Sequence, residues 1–401
     1  MGKLKYLDGM RGLAALIVVI AHFVNAFALS LKDYGRPEYL RYRFISESPL
    51  NILYNGGFAV CIFFVLSGYV LTYRFYRDKN LSTIIASASK RYIRLLIPIL
   101  FSIFVAYILM KLNLMQNTSV GELTRSGWLV QFYTFEPSFK DMIFQAFYEV
   151  FFTGNSTYNT NLWTIQIEFF GSFMVFAFVA LFGKLRNRYI IYVLMLLYFY
   201  DSHYLGFVFG VILSDLVHGN HEKWEAFNKK TLTIVLFILG IYFGSVPNWG
   251  EQGFLYKYIF DAFNWSQTSI FLNSIGAFFI VFALIHFEWM KTFFSTKPMV
   301  FLGRISFSLY VMHLLVICSF SSILFNILIE LVSYKISVIT VVSLSMILIF
   351  GVSYLTYKYV DAKGIALANY VYNVCFSPDK NKNSNLNDKR SCQHVVDDHK
   401  M

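Results

Sequence analysis

Apolar stretches close to the length of a membrane-spanning helix recur from one end of the chain to the other. The pattern predicts ten spans, at about 12–29, 56–74, 93–112, 162–182, 188–201, 203–218, 231–247, 268–287, 303–328 and 336–357. The two segments between 188 and 218 are short and meet at Asp201–His203, which predicts a tight hairpin. Composition agrees: 57% of the 401 residues are hydrophobic and 14% are charged, where a soluble domain carries about a quarter charged. The predicted fold class is all-α, a polytopic membrane protein. No internal repeat is visible, which weakens an inverted-repeat transporter reading.

Charge then orients the spans. The N-terminus, 74–94, 184–188, 219–230, 288–304 and the C-terminal tail together hold 24 of the 34 Lys and Arg residues. That alternation predicts N-in and C-in topology, and it makes the net charge of +11 loop charge rather than a nucleic-acid surface. The outer loops 30–55 and 113–161 are the longest and are candidates for a cap or acceptor site. Residues 1–374 form the expected transmembrane domain, and the polar 375–401 a disordered cytosolic tail. Cys61, Cys318, Cys375 and Cys392 show no pairing that suggests disulfides or a metal site. The first segment lacks the small-residue cleavage site of a signal peptide. Sequons at Asn117, Asn155 and Asn264 fall in outer loops.

Polar residues inside these spans are the candidate chemistry, because ionisable groups at membrane depth face a bundle interior or a wet cavity. In "YLDGMRGLAALIVVIAHFVNAF", Arg11 and His22 lie on nearly one helix face, about 16 Å apart along the axis. Asn25 shares the face of His22 and is expected to orient the imidazole. Taken alone, Arg11 reads better as a positive-inside anchor, whereas for His22 the functional reading is at least even. "CIFFVLSGYVLTYRF" contributes Ser67 and Gly68, and small residues there serve helix packing more often than chemistry. "KRYIRLLIP" places Arg91 and Arg94 on one face, suited to phosphates by charge-assisted hydrogen bonds or to interfacial snorkelling. "NLWTIQIEFFGSFM" carries Glu168 inside an apolar helix, where a carboxylate needs a partner or water. "FLGRISFSLYVMH" sets Ser306, Tyr310 and His313 on one stripe.

These segments, in this order and spacing, resemble the membrane-bound acyltransferase-3 family over about residues 4–375. The resemblance is carried most specifically by Arg11, ten intervening residues and His22. It implies ten spanning helices and transfer of an acyl group from cytosolic acyl-CoA to a hydroxyl of an extracytoplasmic sugar or polysaccharide precursor. Acetyl is the group expected. Acyl-CoA would be a co-substrate, with no permanently bound cofactor and no metal. The implied partners are membrane lipid, a carbohydrate or glycolipid acceptor and separate polysaccharide-biosynthesis proteins. The expected home is a bacterial cytoplasmic membrane. On this reading His22 is the general base or a transient acyl carrier, with Arg11, Glu168 and His313 as further catalytic candidates. Arg91 and Arg94, with Ser67 and Gly68, would bind the donor. Relatives close with a glutamate followed by lysine and proline where this chain reads "YKYVDAKGIAL", so Asp361 receives no role. The rival reading is a secondary transporter or a sugar or lipid flippase, to which polar intramembrane residues are equally natural.

Overall fold

The computed structural model describes residues 4–32, 36, 38–219, 230–246, 256–258 and 268–376. Seven helices among them are long and apolar enough to cross a membrane, and three more are apolar but shorter. In chain order they are α1 (Lys5–Phe27), α2 (Gly56–Asp78), α3 (Ser82–Lys111), α4 (Trp163–Phe182), α5 (Arg188–Tyr198), α6 (Tyr204–Gly219), α7 (Lys230–Gly244), α8 (Thr268–His286), α9 (Lys297–Leu331) and α10 (Tyr334–Phe376). A π-helical turn interrupts α9 at Ile317–Ser321 and another interrupts α10 at Tyr357–Asp361. The protein is a helical, multi-pass membrane protein.

Several helices run past the hydropathy-marked spans. α1 begins at Lys5 rather than Gly12, so Arg11 lies inside the helix and not at its start. α3 begins at Ser82 and α10 continues to Phe376. Hydropathy marks only the apolar part of a helix. Backbone hydrogen bonds carry it onward through amphipathic turns such as Ser82–Lys90. The expected tail from 377 on, with Cys392 and the sequon at Asn264, lies outside the described residues.

α2 is the central helix, packed by α1, α4, α6 and α8. Its approach to α6 depends on missing side chains. A Cβ on Gly68 would stand 2.2 Å from the Phe207 carbonyl oxygen, and one on Gly210 would stand 2.2 Å from that of Val65. Small residues allow such backbone proximity in membrane bundles. Gly68, expected to bind the donor, is therefore a packing residue.

α1 and α9 form the second close pair. A Cβ on Gly12 would lie 2.5 Å from the Gly303 amide nitrogen, and one on Gly303 would lie 2.2 Å from the Asp8 carbonyl oxygen. Farther along the same two helices His22 meets His313, so α1 and α9 run parallel and in register. Outward faces of the bundle are apolar: Leu194 and Leu197 on α5, and Ile339 and Ile347 on α10, are exposed. In a membrane such faces meet lipid.

The long connections fold over the end of the bundle where α1 stops. Ser126 Oγ donates to the Asn25 carbonyl at 2.7 Å, and Tyr54 Oη donates to that of Leu31 at 3.2 Å. Asn117 does not offer its amide for glycosylation. It is buried and donates to the carbonyls of Leu129 (2.9 Å) and Phe132 (2.8 Å), holding the cap together. At the hairpin, Arg188 grips Asp215 through two hydrogen bonds of 2.6 and 2.8 Å, tying short α5 to α6.

Candidate active site

Two cavities lie at opposite ends of α1. One, about 400 Å³, is lined by His22, Asn25, Lys32, Asn161, Trp163, His203 and Tyr310 under the cap. The other, about 330 Å³, is lined by Asp8, Arg11, Arg74, Lys90, Arg91 and Arg94 at the start of the helix. α1 thus presents its histidine to the first cavity and its arginine to the second.

The register of α1 against α9 explains the histidine pair. Gly12 and Gly303 bring the two backbones together, and each histidine follows its glycine by ten residues. Equal rise on parallel helices sets the rings side by side. His22 Nδ1 is 2.8 Å from His313 Nε2, and the ring centroids are 5.0 Å apart. His313 Nδ1 stands 2.8 Å from the Leu309 carbonyl oxygen, which only accepts, so that nitrogen carries the proton. In neutral His313 the Nε2 is then an acceptor. It receives His22 Nδ1–H and, at 3.3 Å, the Asn161 amide. The network assigns the His22 tautomer: Nδ1 is protonated and Nε2 keeps the lone pair. Trp128 from the cap covers His22, with centroids 5.0 Å apart.

Asn25, expected to orient His22, instead accepts from Lys32 at 3.0 Å. His313 does the orienting. Tyr310 donates to the Asn161 carbonyl and lies 2.6 Å from Thr164 Oγ1, so it props the segment that presents Asn161. Ser306, on the same predicted stripe, turns back to the Gly303 carbonyl at 3.0 Å and joins no site.

Glu168 does find a partner, but away from the histidines. It forms an ion pair with Arg91 and accepts from Ser67 Oγ at 2.9 Å. Ser67 thus serves Glu168, and Arg91 spends part of its charge there. The Arg91 Nε is buried without a partner among the described residues, while the residue as a whole lines the arginine cavity. Arg11 and Arg94 line the same space, and Arg94 is within electrostatic reach of Asp361. Lys90 lies 5.1 Å from the ring centroid of Tyr372, so the last turns of α10 wall this cavity. A pocket with five cations and the carboxylate of Asp8 on its lining suits a polyanion.

Sequence reasoning had no hold on Trp128, which sits in a loop of ordinary composition. Asn161 had a weak signal in its place just before the Glu168 helix. Lys32 and His203 are isolated polar residues at loop positions, and nothing in their spacing distinguishes them.

Residues 4–358 match the profile of the acyltransferase domain family. The chain belongs to that acyltransferase-3 family. Acyltransferase clz18 of Cochliobolus lunatus is 24% identical over 80% of this chain and 84% of its own length. O-acetyltransferase PaAT-1 of Phomopsis amygdali is 23% identical over 77% of this chain and 71% of its own. Acyltransferase R4 of a Phoma species is 23% identical over 80% and 84%. No solved structure matches the chain. The protein is therefore a membrane acyltransferase, an enzyme that transfers an acyl group.

Proposed function

We propose that this acyltransferase moves an acetyl group from acetyl-CoA to a hydroxyl of a sugar or sugar-like acceptor. The donor's phosphates are held by Arg11, Arg91 and Arg94, and the acceptor occupies the cavity at His22. The observation that carries this reading is the His22–His313 pair, because it leaves the lone pair on Nε2 of a histidine that lines a polar cavity. The acceptor oxygen attacks the thioester carbonyl carbon while its proton passes to Nε2. The C–S bond then breaks, and the imidazolium returns the proton to the CoA thiolate. His313 stays neutral throughout and keeps the ring of His22 aimed. A positioned base of this kind contributes about 10²–10⁴ in rate.

The rise from Arg11 to His22 is about 16 Å, a span for the extended pantetheine arm. Its path would pass Ser67 and Glu168, which gives that buried ion pair a place along the channel instead of at the reacting carbon. Asn161, Asn273 and Trp163 on the cavity lining support an acceptor with hydroxyls and a ring face. A relative named O-acetyltransferase supports acetyl as the group. The bacterial cytoplasmic membrane and polysaccharide partners rest on the family resemblance, whereas the fungal relatives support a eukaryotic membrane.

The test is turnover of radiolabelled acetyl-CoA by the purified protein in nanodiscs. The wild type is expected to release or transfer label. His22→Ala should lower that rate by about 10²–10⁴, and Arg91→Ala should weaken donor binding. Near-normal turnover in His22→Ala would overturn the assignment.

A further inference from the structure

Acyl transfer to a neutral hydroxyl does not use Lys32. This residue follows the short turn Leu29–Leu31 beyond α1 and lines the same cavity as His22. Its ammonium donates to Asn25 Oδ1 at 3.0 Å and lies 5.9 Å from the Tyr54 ring centroid. Neither partner is charged, and no carboxylate among the described residues pairs with it. Burial pushes the amine down to about 8, with no acidic group among the described residues offsetting the lost hydration. A half-buried cation without a counterion is costly to keep and normally has a partner.

Two other duties fit the geometry less well. An interfacial anchor extends its ammonium outward to headgroups, whereas Lys32 is tied inward to a side chain of α1. A group that stabilises the developing oxyanion must stand about 3 Å from it, beside the base. Lys32 is held to Asn25, three residues beyond His22 on the same face, a rise of about 4.5 Å. That offset is the breadth of a single sugar ring.

We propose that Lys32 selects an acceptor bearing an anionic group, a carboxylate or a phosphate, on the ring whose hydroxyl is offered to His22. The inference rests on the acceptor reading of this cavity. A charge-assisted hydrogen bond to the anion completes the pairing that the described residues leave open, and Asn25 holds the ammonium in place until the acceptor arrives. Trp163 supplies an aromatic face, and the amides of Asn161 and Asn273 supply polar groups for the remaining hydroxyls. Specificity arises because an acceptor without the anion leaves the half-buried cation unmatched.

The experiment is binding to the full chain in nanodiscs, followed by the fluorescence of Trp128 and Trp163 at neutral pH. The probes are methyl glucuronide, glucose 6-phosphate and the neutral methyl glucoside. At least one anionic probe should saturate at tenfold lower concentration than the neutral sugar. The better of the two identifies carboxylate or phosphate as the source. Lys32→Gln should bring the ratio close to one, and Lys32→Arg should keep most of it. Equal binding of charged and neutral probes by the wild type, or no binding of any probe, overturns the proposal. So does an unchanged preference in Lys32→Gln, or a loss that is equal for all probes. Acetyl-CoA turnover, measured in parallel, separates the two readings. Its absence with anion preference intact would defeat the transferase mechanism alone.

Discussion

Gly12 and Gly303 touch through their backbones, and the histidine ten residues after each one touches the other. The histidine pair is therefore placed by a helix crossing some three turns away from it. Gly303→Val should force the crossing apart, since its Cβ would stand 2.2 Å from a carbonyl oxygen. Overpacking of this kind costs about 1–3 kcal/mol. The melting temperature should fall, and turnover should fall further than the stability loss explains. Parallel thermal and kinetic assays on Gly303→Ala and Gly303→Val would show the graded effect.

His313 has no face on the acceptor cavity, and its effect must pass through His22. His313→Ala leaves the buried Nδ1–H of His22 unpaired, a loss of about 1–3 kcal/mol. Turnover should drop about tenfold to hundredfold, with little change in the KM for acyl-CoA. A change confined to KM would contradict the orienting role.

Arg91 and Glu168 neutralise each other within the bundle. Glu168→Gln strands the guanidinium, and breaking one side of a buried pair costs about 3–5 kcal/mol. Glu168→Gln should be markedly less stable than the wild type, and adding Arg91→Gln should restore part of the loss. A double-mutant cycle by thermal denaturation reads the coupling; simple additivity would mean that the pair is not an energetic unit.

Arg94 lines the arginine cavity, at the opposite end of α1 from the cavity at His22. Arg94→Gln should raise the KM for acyl-CoA several-fold, more at low salt than at high. It should leave probe binding at the His22 cavity unaltered.

Lys32 links pH to stability with a definite sign. Its amine titrates near 8 when folded, against 10.5 for the free side chain. The unfolded chain then holds more protons at this site between those values, so stability rises with pH across that window. Below pH 8 the burden of the buried charge is fully present. Lys32→Met should therefore stabilise the protein at pH 7, and the gain should shrink as pH climbs toward 10. Thermal denaturation of both forms at three pH values would decide it.

Hydropathy located the helices well because lipid-facing and core-facing residues are both apolar, as the exposed Ile347 and buried Ile349 of α10 illustrate. Arg11 and His22 were legible for the opposite reason: charge and imidazole are costly within an apolar segment. Which polar groups meet was not legible. Asn25 had the right spacing to serve His22, yet Lys32, from a loop whose path the sequence leaves open, claimed its amide oxygen. Glu168 visibly needed a partner, but only packing of α3 on α4 selects Arg91. The pairing of His22 with His313 did leave a trace, since a glycine followed ten residues later by histidine occurs in both α1 and α9.

The wall that α10 gives the donor cavity has a practical consequence. Its terminal turns, beyond residue 358 where the family match stops, bring Tyr372 under Lys90, and a Cβ on Gly364 would sit 3.0 Å from Ile97. A shortened version cut at the family boundary would lose the turns that wall the arginine cavity. Purification tags and reporter fusions are best joined after residue 376, because anything attached sooner would replace or crowd residues of this helix that line the cavity.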